Sequence, residues 1–324
     1  MADLRYDPIS GVWVAIARKR RERPTEFIPL EQVHKQLICP FCNGNEDETP
    51  ASLAVYDAQG MPTEDGNGWM CRVIPNKYPS LTDDARTDCG PYSVEQRDGV
   101  QELIIPTPRH VNSISELTSE ELTICFQAAQ ERIATLQESS AAEQLVLFLN
   151  CRYAAGASLG HIHFQIMGAP VLSHFVTARL KRNQEHFKSH GQGLVQTLMA
   201  WELEQGVRVV EETEHFVMLC PFASRYAFQV WIVPRNSESK FVQSSTQANL
   251  ELANLCRSYV GGLERLIDEP AYNLLVNLSP NSQPRDFWFV EIFPRTTRAA
   301  GFELGSDVWV NPVPPETAAK RLKG

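Results

Sequence analysis

The stretch Glu102-Leu-Ile-Ile-Pro-Thr-Pro-Arg109 decides the fold, because its pattern returns as Phe228-Gln-Val-Trp-Ile-Val-Pro-Arg235. Each is an apolar run of strand character that ends at a proline, which cannot donate to a sheet ladder. After the first copy, Thr118-x-x-Glu121 has the spacing of a capping box. Leu122, Cys125, Ala129, Ile133 and Leu136 then fall at helical intervals. Strands over 145–149 and 162–167 follow. After the second copy, Leu252, Leu255, Tyr259, Leu263 and Leu266 form the helical stripe, and strands over 273–278 and 287–293 follow, the last ended by Pro294. The shared order predicts an α+β fold of two tandem units, each an antiparallel sheet with packed helices. The expected divisions are an N-terminal unit over 1–174, a helical connector over 175–206 and a C-terminal unit over 207–324. The connector is polar, with Lys181-Arg182-Asn183-Gln184-Glu185 and the glycines Gly191 and Gly193, and reads as a solvated helix pair.

A chain of 324 residues can bury a large core and suits about two domains. Its 43% hydrophobic and 21% charged content is that of an ordinary soluble globular protein. The net charge of −9 argues against a general nucleic-acid binder, but a small anion needs only a local cluster of cations. Met-Ala-Asp-Leu-Arg-Tyr-Asp-Pro at the start has no apolar core, and no apolar run approaches a membrane span. The expectation is a cytoplasmic protein with reduced thiols and neither membrane nor nucleic acid as partner.

Chemistry concentrates in Gly156-Ala-Ser158-Leu-Gly160-His161-Ile-His163-Phe-Gln165. Cys39-Pro-Phe-Cys42, followed by the turn-forming Asn43-Gly44-Asn45, has the spacing of a zinc knuckle. No second such pair is present, so His110, just after Pro108-Arg109, and His161 are the candidates to complete a tetrahedron. Spacing alone leaves a redox pair or plain buried thiols open. In an extended segment His161, His163 and Gln165 share one face. If a metal holds His161, His163 is free to attack phosphorus, Gln165 to donate to a phosphoryl oxygen, and the amides around Gly156, Ser158 and Gly160 to cradle a phosphate. A second metal ligand or a core histidine are the other readings of His163. The run Arg18-Lys-Arg20-Arg-Glu-Arg23-Pro24 is a solvated face or a source of phosphate-binding forks. Asn76 is a candidate hydrogen-bonding residue on a proline-rich loop. Histidines 34, 174, 186, 190 and 215 read as surface residues.

These motifs, in this order and over nearly the whole chain, resemble the galactose-1-phosphate uridylyltransferase family of the histidine-triad superfamily. Arg5-Tyr-Asp-Pro-Ile-Ser-Gly-Val-Trp-Val14 is similar to its opening strand, and Arg20-x-x-Arg23-Pro24 to its phosphate-contacting arginines. Cys39-Pro-Phe-Cys42-Asn-Gly-Asn-Glu46 resembles its zinc turn, and Arg72-Val-x-Pro-Asn76-Lys-Tyr-Pro its nucleotide loop. Pro108-Arg109-His110 matches the region of the third zinc ligand. Asn150, Gly156, Ser158, His161, His163 and Gln165 fall at its active-site spacing. Ala300-Gly-Phe-Glu303-Leu-Gly305 with Asn311-Pro312 is similar to its C-terminal motif, which makes Glu303 a substrate-binding candidate.

The resemblance implies two histidine-triad-like units and a ping-pong nucleotidyl transfer. His163 takes a nucleoside monophosphate from a nucleotide sugar, releasing a sugar 1-phosphate, and a phosphorylated acceptor then collects it. Gln165 and Ser158 would hold the phosphoryl group, and Arg20, Arg23, Asn76, Asn150 and Gly156 the rest of the substrate. Cys39, Cys42, His110 and His161 would bind one Zn2+ per chain, and the active form would be a homodimer. UDP-glucose and a hexose 1-phosphate are the expected substrates. The chain is also similar to the ADP-glucose phosphorylase branch, which transfers adenylate to phosphate, and an inactive zinc-stabilised nucleotide-binding protein is the third alternative. Ile162 stands where the family often has proline, and Phe164 where a small residue is usual. Trp288-Phe-Val-Glu291-Ile-Phe293 replaces a His-x-His that some members use for a second metal site, so no second metal is expected.

Overall fold

The protein is described by a computed structural model covering residues 3–16, 38–66, 68–81, 99–236, 240–280 and 288–324. The first half supplies β3 (Ala54–Tyr56), β4 (Cys71–Pro75), β5 (Val100–Ile105), α1 (Ser119–Ser139), β6 (Gln144–Cys151) and β7 (Phe164–Ala169). The second supplies β8 (Val209–Glu212), β9 (Phe216–Leu219), β10 (Val230–Pro234), α4 (Thr246–Glu264), β11 (Tyr272–Asn277) and β12 (Phe289–Pro294). These strands join in one ten-stranded antiparallel sheet, ordered β3-β4-β5-β7-β6-β11-β12-β10-β9-β8. The order within one half repeats in the other, and the halves meet where β6 pairs with β11. The α+β class is as the sequence predicts, but one continuous sheet replaces two separate ones.

Register makes the repeat residue-specific. Leu103 opposes Gln165 as Trp231 opposes Glu291, and Phe148 opposes Gln165 as Leu275 opposes Glu291. Gln165 therefore corresponds to Glu291, and His163, two residues earlier, to Phe289. The strand expected over 162–167 begins two residues later, because residues 161–163 lie outside the ladder. The second proline strand also starts late, since Phe228 takes a left-handed φ of 60° in the preceding turn.

One face of the sheet is covered by α1 and α4. Leu122, Cys125, Ala129, Ile133 and Leu136 are all buried, as are Leu252, Leu255, Tyr259 and Leu263. Inside that layer Gln130 and Asn249 exchange two amide hydrogen bonds of 2.9 Å, which fixes the register of the two helices. The opposite face differs between halves. Over the second half it carries α2 (His174–His190) and α3 (Leu194–Gln205), whose Val176, Leu180, Leu194, Val195 and Met199 pack on Val217, Leu219, Trp231, Val233 and Phe289. The connector is thus a cover with an apolar underside, and its polar sequence describes only the outer face. Over the first half, among the described residues, the same face meets the loops around Phe41 and Leu159. A separate three-stranded sheet joins β1 (Asp3–Tyr6), β2 (Trp13–Ile16) and β13 (Val308–Asn311), β13 running parallel to β2 after the short helix α5 (Gly301–Ser306). Among the described residues no helix is long and apolar enough to cross a membrane.

The capping box at α1 forms with both arms, Glu121 N–H to Thr118 Oγ1 (3.1 Å) and Thr118 N–H to Glu121 Oε2 (2.7 Å). Glu121 also accepts from Thr107 Oγ1 (2.6 Å) and from Arg109 through Nε (3.1 Å) and Nη2 (2.7 Å). Burial alone would push its carboxyl upward, but hydrogen bonds from Arg109, Thr107 and the Thr118 N–H outweigh that and hold it below the usual carboxylate value. A depressed pKa contributes stability that is complete above the unfolded value of about 4.3 and is lost as pH falls through the folded one. Glu121→Ala, which leaves Arg109 and the helix start without their partner, is expected to cost about 3 kcal/mol at neutral pH. For Glu121→Gln, urea unfolding at pH 7 and pH 3 should show a deficit against the native protein that shrinks on acidification. An unchanged deficit would place its contribution elsewhere.

Candidate active site and metal cluster

Two backbone bonds assemble the site. Asn43 N–H donates to Pro108 O (3.1 Å), laying the cysteine turn against the end of β5, and Ile162 N–H donates to Val111 O (2.8 Å), bringing the histidine segment alongside. The turn itself is closed by Asn45 Nδ2 on Cys39 O (2.8 Å), and Gly44 supplies the left-handed φ of 85° it requires. Its base is pinned by Trp69 Nε1 on Glu46 Oε1 (2.7 Å). Phe41 at the centre of the turn is buried, and its ring meets His161 and His163 edge-on at centroid distances of 5.9 and 5.2 Å.

Cys39, Cys42, His110 and His161 each place a ligand atom within 4.8 Å of the others. Cys39 Sγ and Cys42 Sγ lie 3.6 Å from His161 Nδ1, and Cys42 Sγ lies 3.3 Å from His110 Nδ1. Bonds of about 2.3 Å to sulfur and 2.0–2.1 Å to nitrogen at a tetrahedral angle give edges of about 3.6 Å, so this spacing fits a metal. The other nitrogen of His161, Nε2, is 3.1 Å from Thr107 O. A carbonyl only accepts, so Nε2 carries the proton and Nδ1 keeps its lone pair for the cluster. Burial pushes His161 down to about 4, with the Thr107 carbonyl opposing, so the ring is neutral as a ligand must be.

His163 stands outside the four-residue cluster. Its Nδ1 is 2.9 Å from His161 O, which by the same logic holds the proton on Nδ1 and leaves Nε2 as a lone pair. Burial lowers its pKa, with that carbonyl bond opposing. The ring is 5% exposed and lines a cavity of about 510 Å³ together with Asn76, Lys77, Ser158 and Gln165. Ile162 and Phe164 point the other way into the helix-side core, where Phe164 meets Phe126 edge-on. The two departures from the family pattern therefore face away from the cavity. Gly156 ends a 3-10 turn (Tyr153–Ala155) at φ 95°, and Asn150 Nδ2 reaches its carbonyl at 3.4 Å. Asn150 Oδ1 in turn accepts from Asn273 Nδ2 (2.8 Å) on β11.

The structure brings Ser158, His163, Gln165 and Asn76 to one cavity, and Asn150 and Gly156 are not in its lining. Glu303 does not line it; its carboxylate accepts from Ala300 N–H (3.0 Å) and caps α5. Arg20 and Arg23 lie outside the described residues. Three residues escape a reading of the sequence alone. Lys77 and Phe41 sit inside recognisable motifs but announce their role only through position. Glu121 reads as a helix cap, and nothing in its spacing shows that it also ties the segment carrying Thr107 and His110.

Known proteins resemble this chain over its whole length, although no family model matches. ADP-glucose phosphorylase of Arabidopsis thaliana is 29% identical over 334 residues, covering 99% of this chain and 92% of the relative. Galactose-1-phosphate uridylyltransferase of Thermotoga maritima is 25% identical, covering 100% of this chain and 98% of the relative. The resemblance read from the sequence is borne out. A solved ADP-glucose phosphorylase from Arabidopsis thaliana with bound ADP-glucose superposes with a TM-score of 0.84 at 28% identity, covering 100% of this chain and 99% of that one. A solved uridylyltransferase shares the fold at a TM-score of 0.75. Relatives of both kinds support a nucleotidyltransferase or phosphorylase acting on sugar phosphates. Metal analysis of the purified protein is expected to find about one transition-metal ion per chain, lost in Cys42→Ser together with a fall in melting temperature. A metal-free native protein of unchanged stability would remove the cluster's role.

Proposed function

We propose that the chain moves a nucleoside monophosphate from a nucleotide sugar to a phosphorylated acceptor through a covalent intermediate on His163. The observation that carries this is the fixed tautomer of His163, with Nδ1–H committed to His161 O and the ring lining the cavity. Its Nε2 attacks the α-phosphorus, the N–P bond forms, and the P–O bond to the sugar phosphate breaks. The sugar 1-phosphate departs with that electron pair. The proton on Nδ1 stays in place, and the His161 carbonyl stabilises the positive charge that grows on the ring. An oxygen of the acceptor then attacks the same phosphorus and the N–P bond breaks. Gln165 donates its amide hydrogens to a non-bridging oxygen, Ser158 Oγ to a phosphate, and Asn76 to the nucleotide through Nδ2. The Oδ1 of Asn76 is already taken by Tyr78 N–H (2.9 Å). Lys77 adds a cation to the cavity wall.

Two thiolates and two imidazoles suit zinc. When bound, zinc would hold His161 and so fix the carbonyl that orients His163; it takes no part in the transfer. For the donor, the reading favours ADP-glucose with inorganic phosphate as acceptor, on the likeness to a phosphorylase with that ligand bound. This reverses the expectation of UDP-glucose. The uridylyltransferase reading is retained as second, because relatives of that name also cover the whole chain.

Intact mass of the protein after incubation with ADP-glucose or UDP-glucose, without acceptor, tests both. An adenylyl gain with the first and none with the second is expected, and a uridylyl gain alone would install the second reading. His163→Ala should form no adduct and lose on the order of 10⁴-fold or more in turnover. Persistence of the adduct in that variant would move the nucleophile elsewhere, and no adduct with either donor would favour an inactive nucleotide-binding protein.

A further inference from the structure

Resting on the proposed role of Gln165, the geometry points to Gln101 as a positioning residue that sets which end of the Gln165 amide faces the phosphoryl group. An amide side chain can be turned over at little cost, exchanging donor for acceptor, so a glutamine that must donate needs something to forbid the other orientation. Gln101 lies on β5 opposite Met167, and Gln165 lies opposite Leu103, so the two glutamines are diagonal neighbours on one face of the β5–β7 pair. Gln101 Nε2 donates to Gln165 Oε1 at 3.3 Å. Gln101 Oε1 accepts from Ser80 N–H at 3.1 Å. The polarity of this relay is fixed at its origin, because a backbone N–H only donates. Ser80 therefore demands the oxygen of Gln101, Gln101 must present its NH2 to the next residue, and Gln165 must meet it with oxygen. Both hydrogens of the Gln165 amide are then turned toward the cavity that Gln165 lines.

The relay begins on the loop that carries the nucleotide-contacting candidates. Gln101 holds both ends of that loop: its backbone O accepts from Asn76 N–H (2.9 Å) and its side-chain oxygen from Ser80 N–H. Asn76 and Lys77 line the same cavity as Gln165, whereas Gln101 does not. Seating of a nucleotide against the loop and orientation of the donor at the phosphorus thus pass through one residue, Gln101, that lies outside the cavity lining.

The test uses Gln101→Glu, which is nearly isosteric. Its carboxylate still accepts from Ser80 N–H, so the loop stays tied, but it cannot donate to Gln165, which must turn its NH2 away from the cavity. Single-turnover formation of the nucleotidyl adduct is expected to slow about tenfold or more in Gln101→Glu. In a Gln165→Ala background the same change should alter the rate by less than about twofold. An equal slowing in both backgrounds would mean that the introduced carboxylate acts by charge repulsion or by loop disturbance, and would overturn the proposal, as would an unslowed Gln101→Glu. A second readout needs no turnover. With glutamine side chains labelled with nitrogen-15, the Gln165 NH2 signal, assigned by its loss in Gln165→Ala, should move in Gln101→Glu as it gains a carboxylate acceptor. If the native protein forms no adduct, the proposed function fails while this signal still decides the relay; a signal that stays in place sinks it.

Discussion

The site depends on two carbonyl oxygens that each hold one imidazole proton. Thr107 O takes the Nε2 proton of His161 and His161 O takes the Nδ1 proton of His163. Since a carbonyl cannot donate, each bond leaves the opposite nitrogen as a bare lone pair. One lone pair faces two cysteines and the other belongs to a ring on a cavity wall. Two histidines one residue apart thereby acquire different chemistry without any difference in side chain. The Thr107 carbonyl is held in place by a network that runs through Glu121 to the first turn of α1, so a helix start and a metal cluster share one support.

Duplication gives the two halves the same sheet but not the same use. At the register position of Gln165 the second half has Glu291, which accepts from Gln229 Nε2 and from Arg225 at 3.3 Å. At the position of His163 it has Phe289, packed under α2 and α3. Arg179 from α2 reaches Asn277 Oδ1 at 2.7 Å on the same face. A face that lines the cavity of His163 in one half is covered by two helices in the other. The asymmetry follows from chain order: about forty residues separate β7 from β8 and fold back over the second half, while among the described residues the corresponding face of the first half receives the loops around Phe41 and Leu159.

The sheet and its helices are legible in the sequence because burial on one face imposes periods of 2 and 3.6, and Pro106, just after β5, and Pro234, the last residue of β10, mark equivalent points. Proximity of Cys39, Cys42, His110 and His161 is legible from ligand chemistry, although 122 residues separate the outermost pair. The union of two sheets into one is not, since pairing of β6 with β11 leaves no local trace. Nor is the packing of α2 and α3, whose polar residues outnumber the apolar stripe that seats them. Glu303, a site candidate by motif, lies outside the cavity lining, and that its carboxylate accepts from Ala300 N–H at the start of α5 is not legible in the motif. Orientation of side-chain amides and imidazoles lies wholly beyond spacing, because it is set by individual N–H and C=O groups that composition does not record.

The seam between the halves has a consequence for how this chain can vary. β6 spans eight residues with alternate positions buried, and β11 occupies its outer edge. Cut loose, β6 would present a long row of unpaired amides and carbonyls, a template for joining other chains. The half without the paired histidines thus covers that edge: β11 supplies the backbone partner of β6, and Asn273 reaches across the seam to Asn150.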